Sequence, residues 1–161
     1  MIALIDNCTG EIKDSAFSSS ETVDLTITNS DLEFGDSTFA YNDKLKNLTF
    51  GDGTYKLGEY AFYKNKKLTG AIIGGESEDN KFELGDSAFS SCEKLALVKI
   101  GNGEYEIDDS CFAYCDSLSK VEISDNAEVE FGSDVFYKCA DDLDIAYGKK
   151  HYNADTVEDA F

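Results

Sequence analysis

Leu84-Gly85-Asp86-Ser87-Ala88-Phe89-Ser90-Ser91-Cys92-Glu93-Lys94-Leu95 is the segment whose reading decides the fold. It starts on an apolar residue, turns through Gly-Asp-Ser, sets Ala beside Phe and closes on Leu. Alone it is too short to bury its own apolar groups. Its first half, apolar-(Gly)-acidic-(Ser)-small-Phe, returns at Ile12–Phe17, Phe34–Phe39, Leu57–Phe62, Ile107–Phe112 and Phe131–Phe136. The six phenylalanines stand 22, 23, 27, 23 and 24 residues apart. Self-similarity at such a period marks a repeat solenoid.

More positions recur in phase around this anchor. Six or seven residues after each Phe comes an aliphatic: Val23, Leu45, Leu68, Leu95, Leu118, Leu143. A short alternating piece follows, as in Leu48-Thr49-Phe50, Val98-Lys99-Ile100 and Val121-Glu122-Ile123. A second one precedes the anchor, as in Tyr55-x-Leu57, Phe82-x-Leu84 and Tyr105-x-Ile107. Alternation with period two predicts half-buried strands. Asp-Ser-Ala-Phe reads as an N-capped helical turn, with Asp or Ser accepting from free N–H groups. Each coil is therefore strand, turn, strand, short helix. The expected fold is a mainly β solenoid of leucine-rich-repeat-like coils with short helical turns, about six coils plus irregular ends. An N-terminal strand or half coil would occupy 1–11, the six coils 12–147, and a C-terminal cap or tail 148–161. Coil three carries an excess over Gly74–Asn80, which is expected to protrude as a surface loop.

These blocks resemble the BspA-like leucine-rich repeat, whose unit runs apolar-Gly-x-x-Ala-Phe-x-x-Cys-x-x-Leu. The resemblance covers roughly 12–147. It implies a curved solenoid that binds other proteins, often on bacterial or protozoan surfaces, and it carries no catalytic residue. One departure is plain: the family's usual proline after the strand is replaced here by Asp6, Thr28, Gly51, Gly74, Gly101 and Ser124, and the chain contains no proline. Glycine suits the same turn. The departure places the chain on a divergent branch.

Charge narrows the function. Thirty-three Asp and Glu against 14 Lys and Arg give a formal charge of -19. That argues against direct binding of nucleic acid, which draws its affinity from Lys and Arg, and against docking on an anionic membrane. The favoured partner is another protein with a basic surface. Solubility of an extended array explains the charge equally well. The start, Met1-Ile2-Ala3-Leu4-Ile5-Asp6, has no basic region followed by an apolar run. As written, the chain is expected in the cytoplasm; as a fragment of an exported protein it would be extracellular or on the cell surface. Five cysteines at repeat-dictated spacings do not form a disulfide framework. Ser20, Asn42, Asn65, Cys92, Cys115 and Cys139 share one repeat position, which predicts a ladder of small groups bonding the turn backbone. No cofactor, metal site or catalytic residue is expected, because His151 is the single histidine and no nucleophile–base pair stands out.

Two faces are candidate binding surfaces. The first is an acidic row on the strand before the anchor: Glu11, Asp31, Glu33, Glu83, Glu104, Glu106, Glu128 and Glu130, interrupted by Lys56 and Lys81. Like charges opposite one another across a sheet destabilise it, so a ligand would compensate a row that keeps them; solvated strand residues are the bland alternative. The second is the outward side of the main strand, Thr49, Ile72, Leu97, Lys99, Lys120 and Glu122, where Ile72 and Leu97 are expected to be exposed. Tyr41, Tyr63, Tyr114 and Tyr137 make a third patch. A second row, Asp14, Asp36, Glu59, Asp86 and Asp109, is expected to cap the turns. Three functions fit: a small acidic intracellular inhibitor that mimics nucleic acid against a basic-grooved protein, as phage-encoded antagonists of nucleases require; a fragment of a BspA-type surface protein or adhesin; or a calcium-stabilised structural array with oxygens from Gly51-Asp52-Gly53 and Asp125-Asn126. The first coil lacks a polar cap, which predicts a homodimer through the N-terminal edge.

Overall fold

The structure, a computed structural model, describes residues 1–160, the side chain of Asp159 excepted. Each coil contributes one strand to each of two sheets. The main sheet runs β1 (Ile2–Asp6), β3 (Asp24–Thr28), β5 (Asn47–Phe50), β7 (Gly70–Ile73), β9 (Leu97–Ile100), β11 (Lys120–Ile123) and β13 (Asp144–Tyr147), all parallel. β14 (Lys150–Tyr152) adds to its end antiparallel to β13. The second sheet runs β2 (Thr9–Ile12), β4 (Ser30–Phe34), β6 (Gly53–Leu57), β8 (Lys81–Leu84), β10 (Gly103–Ile107) and β12 (Ala127–Phe131), also parallel. Stacking in one register follows from the sequence period. Leu48, Ala71, Val98, Val121 and Ile145 fall opposite one another along the main sheet, all turned inward.

The core lies between the sheets and is closed by a column of rings. Phe17, Phe39, Phe62, Phe89, Phe112 and Phe136 stack in sequence with centroids 5.0–5.7 Å apart and nearly parallel planes. Each such pair stabilises by about 0.5–1.5 kcal/mol beyond its burial. The recurrent Phe is thus what holds one coil to the next.

The turns carrying these rings are not helical. Ser15, Ser37, Tyr60, Ser87, Ser110 and Asp134 all have φ near +56°, a left-handed conformation that breaks an α-helix after one residue. A second left-handed residue follows each Phe by two, at Ser19, Tyr41, Lys64, Ser91, Tyr114 and Lys138. In the first five coils their N–H groups pair with the next coil instead of within the turn, as Ser37 N donates to Glu59 O at 2.8 Å and Tyr41 N to Tyr63 O at 2.9 Å. The acidic row works across coils too. Asp14 Oδ1 accepts from Asp36 N at 3.0 Å, Asp36 Oδ1 from Glu59 N at 2.9 Å and Asp109 Oδ1 from Ser133 N at 2.7 Å. Of the expected N-caps, Asp14, Asp36 and Asp109 are therefore inter-coil bridges, and the turn that stands in for the helix is tied by its neighbours.

Three residues past each Phe, the expected ladder forms. Asn42 N donates to Asn65 Oδ1 at 2.9 Å, and the Asn65 amide donates to Phe62 O at 2.7 Å and Phe39 O at 3.1 Å. In the later coils a thiol takes over: Cys92, Cys115 and Cys139 Sγ donate to the Phe62, Phe89 and Phe112 carbonyls at 3.3 Å. Each sulfur also receives the backbone N–H of the preceding ladder residue, Asn65, Cys92 and Cys115 in turn. All five cysteines are free thiols.

The two ends differ. After β14 the chain makes a short helix, α1 (Ala154–Val157), whose Asn153 cap accepts from Asp155 N at 3.1 Å and Thr156 N at 3.0 Å. Val157 is fully buried, and Glu158 Oε1 accepts from Val135 N at 2.9 Å. This tail closes the C-terminal end. Among the described residues none covers the first coil in this way, and Phe17 is 43% exposed although every later anchor Phe is buried. No helix among the described residues is long and apolar enough to cross a membrane.

Candidate protein-binding face

The second sheet turns Leu32, Tyr55, Phe82, Tyr105 and Val129 inward, so their sequence neighbours face solvent. The parallel register sets Glu11, Glu33, Lys56, Glu83, Glu106 and Glu130 in one row. Thr9, Asp31, Thr54, Lys81, Glu104 and Glu128 make the adjacent row. Neighbours within a row are about 4.8 Å apart along the sheet.

The lysines divide these rows. Lys56 Nζ meets Glu83 at 3.0 Å and Lys81 Nζ meets Glu104 at 3.2 Å. Glu11 is held by Lys13 at 2.6 Å. What remains without an ion-pair partner, among the described residues, is Asp31 with Glu33 near one end and Glu106, Glu128 and Glu130 near the other. The second group is the denser. Glu104 faces Glu128 and Glu106 faces Glu130 across one strand pair. These four residues with Glu83 and Lys81 line a shallow groove of about 560 Å³ over the backbone of β8, β10 and β12.

A second groove of about 410 Å³ adjoins it through Glu104 and Glu128 and adds Glu78 and Asp125. Neither carboxylate was singled out in the sequence as part of an acidic face. Their proximity depends on how the Gly74–Asn80 excess folds. That segment does not protrude freely. Asp52 Oδ1 accepts from Ser77 N and from the Asn80 amide, both at 3.1 Å, while Asn80 Oδ1 accepts from Gly53 N at 2.8 Å. Asn102 donates from its amide to Glu76 O at 2.8 Å. Asn80, which closes the excess and is buried, is the readable clue, because buried amides stitch backbone between coils. The same bonds commit Asp52 to protein donors. Among the described residues no three carboxylate, thiol or imidazole groups converge as metal ligands.

The main-sheet face is different in kind. Glu122 is clamped between Lys99 at 3.0 Å and Lys120 at 2.7 Å, and those two hydrogen bonds hold its carboxyl below the ordinary range. Thr49, Ile72, Lys99 and Glu122 share one row, with Ile72 45% exposed. Leu97 belongs to the neighbouring row, opposite Gly70 and Lys120, and is half-buried instead of exposed. The face is thus charge-balanced around Lys99, Lys120 and Glu122, and its exposed aliphatics are Ile72 in the middle and Ile2 and Leu4 on β1. The tyrosines fall into two separate clusters, Tyr41–Tyr63–Tyr60 and Tyr114–Tyr137, because the intervening coil has Ser90 and Ser91 at those positions.

Burial explains why none of the ladder thiols is a reactive centre. It pushes Cys92 and Cys139 up to about 12 and holds Cys111 and Cys115 well above the ordinary thiol range. A nucleophilic cysteine needs the opposite environment.

A two-sheet solenoid with an anchor-ring column and polar outer faces defines a repeat scaffold whose surface, not an internal pocket, does the work. The chain belongs to the BspA type leucine-rich repeat family, with six copies of the repeat matched over residues 10–142. Such repeats form a protein–protein interaction module, and the family is typically non-enzymatic. No curated protein and no solved structure matches the chain.

Proposed function

We propose that this module offers its glutamate face to the basic groove of a nucleic-acid-binding protein, and that it acts as a small intracellular inhibitor of the kind a phage deploys against a host nuclease. The observation that carries this reading is the block of Glu104, Glu106, Glu128 and Glu130, set in register on neighbouring strands with one lysine contact among them. Carboxylates repeating at about 4.8 Å along a sheet approach the charge density of a nucleic-acid strand, one per about 3.4 Å. A partner's lysines and arginines would relieve the repulsion that the fold alone leaves standing. Glu78 and Asp125 extend the surface around the coil edge.

Capture of a partner from host lysate tests this. Binding should fall steeply with added salt, since exposed charges are screened within about 10 Å at 0.1 M. Added DNA or RNA should displace the bound protein, and Glu83→Lys combined with Glu106→Lys should abolish capture. Capture indifferent to competing nucleic acid and to that double variant would refute the reading.

A second reading, a portion of a BspA-type surface protein or adhesin, draws on the family itself. It requires an export signal or anchor elsewhere in the gene, and an uninterrupted cytosolic reading frame with neither would exclude it.

A further inference from the structure

We propose that a ridge of lysines and tyrosines, on the flank between the phenylalanine column and the main sheet, binds an acidic segment of a second protein partner. Turns 40–46, 63–69 and 90–96 join the anchor Phe to the main strand in the second, third and fourth coils. They hold Lys44, Lys46, Lys64, Lys66, Lys67 and Lys94 against Asp43 and Glu93. Glu21 and Asp116 flank them on the first and fifth coils. All six lysines are exposed except the half-buried Lys64. In a chain of charge -19, this is where the local sign reverses.

The fold sets these side chains side by side. Asn42, Asn65 and Cys92 are successive rungs of the ladder. Lys44, Lys67 and Lys94 each follow a rung by two residues, so they form one row at about 4.8 Å per coil. Thr69 N donates to Lys46 O at 2.9 Å and Ala96 N to Thr69 O at 3.0 Å, which ties the turns together at their far end. Lys44 meets Glu21 at 2.5 Å and Lys66 reaches Glu93 at 4.0 Å. Among the described residues, Lys46, Lys67 and Lys94 have no ion-pair partner. Rings lie beside them. Tyr63 packs against Tyr41 at 5.7 Å and Tyr60 at 5.2 Å between centroids, and Lys64 Nζ stands 5.0 Å from the Tyr63 centroid. Tyr41 and Tyr60 are left-handed, at φ +60° and +57°, where Ser91 and Ser87 stand in the fourth coil. A bulky residue is uncommon in that conformation, so the fold itself does not call for rings there.

Charge identifies the occupant. Ammonium groups in a row are complementary to carboxylates, and exposed tyrosine is characteristic of protein interfaces. The family forms protein–protein interaction modules. A long polyanion such as nucleic acid would meet the repulsion of the whole chain. A short acidic protein segment meets the ridge alone. The pair Tyr114–Tyr137 supplies the contrast: its turns carry Lys138 against Asp116, Asp141 and Asp142, so the same kind of ring stands in an acidic setting.

Fluorescence anisotropy at low ionic strength tests this, with a labelled oligoglutamate peptide ending in tryptophan as the probe and an oligolysine peptide for the glutamate face. The acidic probe should bind the unmodified chain, and added salt should release it. Lys67→Glu with Lys94→Glu should weaken that binding about tenfold, as two exposed charge contacts turned repulsive imply. Tyr41→Ser with Tyr60→Ser should weaken it several-fold, and the fold accepts both because other coils hold serine at these positions. Tyr114→Ser should change nothing. Glu83→Lys with Glu106→Lys should not weaken the acidic probe, whatever it does to the basic one, so the ridge and the glutamate face stand or fall separately. A probe that stays free at low salt, or that binds the double lysine variant equally well, overturns the ridge. Tighter binding of heparin or single-stranded DNA than of the peptide makes the ligand a different polyanion and overturns the assignment to a protein segment. A light-scattering mass above 17.7 kDa that the double lysine variant abolishes would seat the glutamate face of a second copy here, and overturns it too.

Discussion

Glu106 stands directly opposite Glu130 across the parallel pair β10–β12, and neither has a cation within ion-pair distance among the described residues. The fold gains nothing from this arrangement. Facing charges of one sign cost on the order of 0.2–1 kcal/mol across a sheet. Glu106→Gln should therefore raise the urea midpoint by a few tenths of a kcal/mol equivalent while weakening capture of a basic partner. Opposite signs for stability and binding are the signature of a surface kept for a ligand. A loss of stability in Glu106→Gln would show instead that the carboxylate serves the fold.

The ladder behind the phenylalanines gives a contrasting case. Asn65 is fully buried, and its side chain serves Asn42 N, Phe39 O and Phe62 O together. Removing it strands Asn42 N, at about 1–3 kcal/mol, while Phe39 O keeps the Asn42 amide and Phe62 O keeps the Cys92 thiol. Asn65→Ala should then cost about 2–3 kcal/mol by equilibrium unfolding. Cys92→Ala, which loses one weak donor and one weak acceptor, should cost about 1 kcal/mol. Equal costs would mean the ladder is packing alone.

Much of this was legible in advance, for a physical reason. A solenoid repeats its environment every coil, so each inward position leaves a periodic trace, and the Phe column and both strand sets could be read from spacing. The turns could not. Ser15, Ser37 and Ser87 carry N-cap chemistry, and left-handed serine is uncommon, so Asp-Ser-Ala-Phe looked helical. The left-handed backbone is held there by bonds to the next coil, which no local window contains. The candidate face was half legible. Alternation placed Glu104 through Glu130 outside, but which glutamates Lys56 and Lys81 neutralise depended on side-chain reach. Glu78 and Asp125 joined the face only once the Gly74–Asn80 segment was tied down by Asn80 and Asn102.

Asp52 decides how that segment is held. Its carboxylate accepts from Ser77 N and the Asn80 amide, and Gly75 packs so closely that a Cβ there would reach within 2.3 Å of Asp52 Oδ1. Asp52→Ala should lower stability by about 1–3 kcal/mol, since it leaves the loop amides without an acceptor. Calcium or a chelator should leave the melting temperature of the unmodified protein unchanged. A rise with calcium that Asp52→Ala removes would return the site to cation chemistry.

The buried thiols set the alkaline limit. Cys92 has an ordinary value near 9, and burial raises it to about 12 in the folded chain. Between those values the unfolded chain loses the proton and the folded chain keeps it. The unfolded state therefore binds fewer protons, and stability falls as pH rises. Below pH 9 the contribution is fully present. Above it, each such thiol removes about 1.4 kcal/mol per pH unit. Cys111 and Cys115 act in the same direction, as does buried Tyr105 at still higher pH. Urea midpoints taken through the alkaline range should be flat up to about pH 9 and then drop sharply. In the same samples at neutral pH, a thiol reagent should label exposed Cys8 at once and the buried cysteines only after denaturation. Midpoints that stay level through the alkaline range, or rapid labelling of Cys92 in the native chain, would mean that the ladder opens readily and that its sulfurs are not sealed between coils.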